Sequence, residues 1–176
     1  MRIPRRRVPI AFALIGACAV LSSIVFFYPI CAIAWHLTRG NYITFANTRA
    51  KLPLLWWPTN DEGPYLQTLS RARVAQPYPL ETIHIRRLRD EEIASDSALK
   101  YSFDLIAARN NARQNVPLGT FHVAEFRADN LKVYCLETQM DYLACRSPEM
   151  EWNITALPAR HPDEIMAILT SLQRLH

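Results

Sequence analysis

The sequence predicts an α+β domain carried by an N-terminal transmembrane helix: a mainly antiparallel sheet of about six or seven strands, packed by two helices into a sandwich. Three observations predict it. No charged side chain occurs between Val8 and Trp35, directly behind Arg2, Arg5, Arg6 and Arg7. Stretches of alternating apolar and polar residues fill most of the remainder, and two segments carry apolar residues at the three-and-four spacing of a helix lying on a core.

The apolar run exceeds the roughly 20 residues an α-helix needs to cross about 30 Å of hydrocarbon, where backbone polar groups must be satisfied within the helix. Residues 1–7 read as a basic tail, 8–35 as a signal-anchor helix in contact with membrane lipid, and 36–176 as one domain. Val8 to Tyr28 already reaches across; Pro29 is placed to bend or end the helix, and Tyr28 and Trp35 fit an interfacial aromatic belt. Two other readings use the same residues. A cleaved signal peptide would be cut at Ala17, Cys18 and Ala19, leaving a second apolar stretch at the new terminus. A lipoprotein box would use Ile15-Gly16-Ala17-Cys18, yet the chain continues into Val20-Leu21 and Phe26-Phe27 instead of a polar linker.

Arg2, Arg5, Arg6 and Arg7 also set the orientation, because Lys and Arg beside a span stay on the cytoplasmic side. Only Arg39 lies comparably close on the other flank. The expectation is N-terminus in, domain outside the cytoplasm. Those four arginines account for the whole net charge of +4, so residues 36–176 are balanced. A balanced domain has no basic footprint for nucleic acid, and none is expected as a partner.

An extracytoplasmic domain gives the cysteines a meaning. Cys18 and Cys31 lie in the apolar run and read as small hydrophobes. Cys135 and Cys145 fall on two arms of a predicted hairpin, Leu131 to Glu137 and Tyr142 to Arg146, turning near Thr138 to Asp141. A turn centred on Met140 sets them opposite one another, where a disulfide forms with modest adjustment. A slip of one residue would instead leave two buried thiols on opposite faces. No C-x-x-C occurs and the five histidines are scattered singly, so no zinc site is expected.

The domain begins with two short apolar runs, Asn41 to Phe45 and Ala50 to Trp56, turning at Asn47-Thr48-Arg49; Pro53 confines the second to an edge or its own end. Asp61 to Gln76 holds the breaker Gly63-Pro64 and reads as a short helix from Tyr65 to Ala72. Ile83 and Ile85 alternate with His84 and Arg86 in a strand with one wet face. A helix capped by Ser95 or Ser97 follows, its stripe formed by Leu99, Phe103 and Ile106 and widened by Tyr101 and Leu105, with Lys100 and Asp104 paired on the surface. Four strands come next: Thr120 to Arg127, Leu131 to Glu137, Tyr142 to Arg146 and Met150 to Leu157. The last alternates most cleanly, with Met150, Trp152, Ile154 and Ala156 on one face. Pro162, Asp163 and Glu164 suit a helix N-terminus, and Ile165, Ile168, Leu169, Leu172 and Leu175 make its stripe.

An opening strand followed by Leu52-Pro53 and Trp56-Trp57, with a closing strand-then-helix unit, is similar in outline to the PsbP-like sandwiches. The likeness implies an α+β sandwich and carries over no functional residue.

No motif names a reaction. Ser97-Ala98-Leu99-Lys100 matches S-x-x-K, which sets a lysine beside a serine for acyl transfer, but its companion elements are missing. Asp90-Glu91-Glu92 cannot converge on one cation, and His84 and His122 are strand histidines without a neighbouring nucleophile. Four glycines, none clustered, leave no phosphate-cradling loop, and no cofactor is expected. Asn153-Ile154-Thr155 meets a glycosylation sequon inside a strand. Neighbours on a strand face opposite ways, so of Trp56 and Trp57 one can enter the core while the other meets lipid or a partner; the favoured reading is that both are core residues at a strand end.

The reading is a single-pass anchored protein presenting a small extracytoplasmic binding or accessory domain to another envelope protein. Its rivals are a small hydrolase assembled only in three dimensions, with Ser97, Lys100 and His122 as its candidate residues, and a lipid-carrying sandwich with a deep apolar cavity.

Overall fold

The computed structural model describes residues 7–176, apart from 46, 62–64, 75–80, 114–118, 130, 139–141, 149 and 176. Helix α1 (Arg7–Arg39) leads into strands β1 (Tyr42–Phe45), β2 (Thr48–Lys51), β3 (Trp56–Asp61), β4 (Leu66–Arg71) and β5 (Thr82–Arg87). A 3-10 turn (Asp90–Glu92) precedes α2 (Asp96–Asn111). Then come β6 (Phe121–Ala128), β7 (Leu131–Thr138), β8 (Leu143–Arg146), β9 (Trp152–Ala156), α3 (Pro162–Thr170) and the short β10 (Gln173–Arg174).

Seven strands form one antiparallel sheet in the order β3-β4-β5-β9-β8-β7-β6, and a second sheet runs β1-β2-β10. The α+β class and the large antiparallel sheet follow from the alternation in the sequence; the small second sheet does not. One face of the large sheet carries Leu69, Ile83, Ile85, Val133, Cys135, Cys145, Trp152, Ile154 and Ala156, and it packs against the small sheet and Ile165, Ile168 and Leu169 of α3. Trp152 anchors that interface: its ring meets Phe45 edge-on at 5.6 Å and its indole N–H donates to the buried Thr48 hydroxyl at 3.2 Å. On the opposite face, Leu99, Phe103 and Ala107 of α2 cover Phe121, Tyr134 and Leu136.

Several expectations are corrected. Thr48 and Arg49 belong to β2, not to a turn, and the run Ala50 to Trp56 is split because Pro53 donates no ladder hydrogen bond. Tyr65 to Ala72 is no helix: Leu66–Arg71 is β4, paired on both sides, since Leu69 buries toward the core while Thr68 and Ser70 face the other way. In α2 the buried residues are Leu99, Phe103 and Ala107, four apart, so Ile106 and Tyr101 are exposed. Ser95 occupies the N-cap position without a side-chain capping bond. Helix α3 ends at Thr170 because the next residues turn to pair β10 with β2; Leu172 stays buried and Leu175 leaves the stripe.

Among the described residues no single helix is long and apolar enough to cross a membrane; Gly16–Ser22 and Val25–Arg39, bent by 59°, meet that measure only together. The bend precedes Pro29, which lies inside the helix and is buried. From Tyr28 onward the helix packs on the domain, where Tyr28, Cys31, Ala32 and Trp35 gather around Trp57, Ala72 and Leu55. His36 closes this contact: Nε2 donates to the carbonyls of Pro53 at 3.1 Å and Trp56 at 2.9 Å, and Nδ1 lies 3.0 Å from the Asn41 amide oxygen.

Candidate functional site

Cys135 and Cys145 form a disulfide. They are direct partners in the β7–β8 register, with Cα atoms 4.1 Å apart. The spacing follows from the ladder. Thr138 N–H bonds to the Tyr142 carbonyl, so pairs two residues along exchange hydrogen bonds and the odd pair between them is the narrow, unbonded kind. Both cysteines are buried in the main core. The turn expected at Met140 lies outside the described residues, but the register it implied is the one observed.

Trp56 and Trp57 face opposite sides of β3, and neither is free: they are 0% and 7% exposed. Trp57 is covered by α1, with its ring 5.9 Å from that of Tyr28. The partner expected for one of the two indoles is the chain's own apolar run. Arg2, Arg5 and Arg6 lie outside the described residues, and Arg7 opens α1.

The hydrolase candidates are not brought together. Lys100 Nζ pairs with Asp104 at 3.0 Å on the next turn of α2, and Ser97 Oγ lies 3.5 Å from Ser95 Oγ. His122 stands exposed on β6, opposite Glu137 on β7. Glu92 accepts a two-point bond from Arg86 and the Arg89 backbone N–H; the Arg86 bond above all holds its carboxyl down at about 2. Among the described residues no group of three or more His, Cys, Asp and Glu is placed to hold a metal ion.

What the fold does assemble is a polar cluster that no local motif marks. Trp56, Arg71 and Glu81 form a cross-strand row, Trp56 opposite Arg71 and the Arg71 N–H donating to the Glu81 carbonyl at 3.0 Å. The N-terminal end of α3 closes over this row. Glu164 takes the fork of Arg71, Nε to Oε2 at 2.7 Å and Nη2 to Oε1 at 2.8 Å, and Oε2 also accepts the Trp56 indole N–H at 2.7 Å. The Arg71 hydrogen bond, with help from Trp56, holds the Glu164 carboxyl below the usual carboxylate range against partial burial. Glu81 is 3% exposed. Its two oxygens meet the His161 backbone N–H at 2.8 Å and His161 Nδ1 at 2.5 Å. A cleft of about 10 Å³ beside them is lined by Arg71, Arg73, Glu81, Arg160 and His161.

A second surface lies between the helices. The register rows Thr68–His84–Thr155–Ala144 and Leu66–Arg86–Asn153–Arg146 cross β4, β5, β9 and β8 on the face that α1 covers at β3 and α2 at β6 and β7. Their side chains are mostly polar, and His84 lies 3.2 Å from Thr68 Oγ1. Two larger clefts, of about 320 Å³ and 700 Å³, have mixed linings: the first runs from Glu137 and Tyr142 to Pro162 and Met166, the second follows Tyr65 and Arg86 to Asp90. The sequence matches no protein-family profile and no curated protein.

Proposed function

We propose that the protein is a single-pass, membrane-anchored accessory protein whose domain works by binding another envelope protein outside the cytoplasm. The observation that carries the reading is the charge-free run from Val8 to Trp35 behind four arginines. The outward face of the helix supports it. Opposite the residues that pack on Trp57, the side chains are Phe26, Ile30, Ile33 and Leu37, all exposed and the last at 83%. An apolar surface of this kind is stable against hydrocarbon and unfavourable against water. Residues 8–35 are the anchor in this reading, meeting lipid on the face turned away from Trp57 from Tyr28 onward, and the arginine bias sets the domain outside.

A disulfide in a buried hairpin fits an oxidising compartment. The balanced charge of residues 36–176 favours a protein partner over nucleic acid. Because α1 packs on β3, the domain is held by its anchor at a fixed angle and not on a loose tether, which suits a component that must present one surface in one direction. Alkaline carbonate extraction of membranes containing the full chain tests the anchoring: the protein stays in the pellet, and release into the supernatant overturns the reading.

A further inference from the structure

We infer that His161, Arg73 and Arg160 form a binding site for a phosphate group, with Glu81 as the positioning residue behind the histidine. The argument is an account of donors and acceptors. The two carboxylates of the cluster are turned inward: Glu81 is taken by the backbone and ring of His161, Glu164 by Arg71 and Trp56. The groups left over at the cleft are two guanidinium donors and one imidazole nitrogen. Arg73 and Arg160 are exposed and, among the described residues, make no ion pair or hydrogen bond; His161 Nε2 likewise has no partner there.

Glu81 decides which ring nitrogen is presented. A carboxylate only accepts, so the proton on the Glu81 side sits on Nδ1, and Nε2 is the atom left for a ligand. The same carboxylate holds the His161 backbone, fixing the ring where β9 gives way to α3. Two guanidinium groups are charge-assisted donors that match the acceptor oxygens of a phosphate, and Nε2, a lone-pair acceptor while Nδ1 carries the ring's proton, takes the hydrogen of a protonated phosphate oxygen. The cleft has room for about one water-sized group, so it seats a single phosphate oxygen, and the rest of the group lies outside against the exposed guanidinium groups. Asp163, next to the site in sequence, does not line the cleft.

The test uses the full chain in maltoside micelles, which carry no phosphate, and follows thermal unfolding as sodium phosphate replaces sodium chloride at constant ionic strength. A bound ion raises the midpoint with phosphate concentration as mass action requires. The Arg73→Gln, Arg160→Gln double variant keeps its midpoint in chloride, since both guanidinium groups are exposed, and loses the phosphate response. The conservative Arg73→Lys, Arg160→Lys variant recovers part of it. Glu81→Gln is read by the ring nitrogen shifts of His161: the Nδ1–H form weakens along with the phosphate response. Repeating the titration in phosphatidylglycerol nanodiscs separates the sources. A response already saturated there assigns the site to a lipid headgroup, and one that persists assigns it to a soluble phosphate compound. A wild-type midpoint that follows ionic strength alone, or a double glutamine variant that responds like the wild type, overturns the proposal.

Discussion

The rings of Tyr28 and Trp57 meet at 5.9 Å, tilted by 39°, joining the apolar run to the first strand of the large sheet. The contact includes Ala32 and Ala72, both with essentially no exposed surface, and ends on the hydrogen bonds of His36. Trp57→Ala therefore removes the centre of a packed contact that lies outside the main core. Loss of a buried Trp costs about 3–5 kcal/mol where the site cannot collapse. Amide hydrogen exchange checks it: protection falls over residues 28–39, while the amides of β7, β8 and β9 keep theirs.

The Cys135–Cys145 bridge closes a short loop, which limits what it contributes. By chain entropy the Cys135→Ala, Cys145→Ala variant loses about 2–3 kcal/mol. Chemical denaturation of the two proteins measures the difference. The variant remains folded at ambient temperature, because Val133, Ile154 and Trp152 on the same face are held by packing that does not depend on the bridge.

Acid should destabilise the domain partly through Glu164. Its carboxyl is held below 4.5 in the folded chain, first by the Arg71 hydrogen bond. A group whose value is lowered by folding gives stability that is present above the unfolded value and lost as pH falls through the folded one. Unfolding free energy thus declines as pH drops below about 4.5. Glu164→Gln flattens part of that decline and lowers stability near neutrality, because the amide keeps one acceptor oxygen for Arg71 and Trp56 in place of two and carries no charge. Glu92 and Asp96, also lowered by their partners, keep the remainder of the slope.

A fluorophosphonate probe separates the binding reading from its hydrolase rival. Among the described residues Ser97 Oγ meets only Ser95 Oγ, at 3.5 Å, and Lys100 is engaged by Asp104. The expected result is no labelling of Ser97 in the folded protein. Ser97→Ala should leave the denaturation curve unchanged, as the Ser97 side chain is exposed and its hydroxyl meets only Ser95 Oγ, at 3.5 Å.

Much of the fold was legible where one local rule operated alone. Strict alternation from Met150 to Ala156 marks β9, and a hairpin turn centred on Met140 sets Cys135 opposite Cys145. Pro162, Asp163 and Glu164 marked the start of α3. The misreadings came where a tertiary partner decided. Leu66–Arg71 has residues that suit either element and becomes a strand because β3 and β5 pair with it on both sides. Leu175 fits a helical stripe, yet its N–H pairs with the Asn47 carbonyl beside β2. The polar cluster was invisible for a different reason. Glu81 and His161 are 80 residues apart in sequence. Glu81 precedes a strand and His161 precedes a helix, and no spacing rule links those positions. The one available signal was a strongly polar residue at each of two element boundaries.

We propose that this domain stands outside the cytoplasm on an anchor of its own. Thiol labelling in intact cells tests it most directly, using a membrane-impermeant maleimide before and after reduction on a chain lacking Cys18 and Cys31. The account predicts labelling at Cys135 and Cys145 only after reduction under mildly denaturing conditions, without lysis. Reactive thiols that appear only after lysis, with no reductant, would place the domain in the cytoplasm and contradict it.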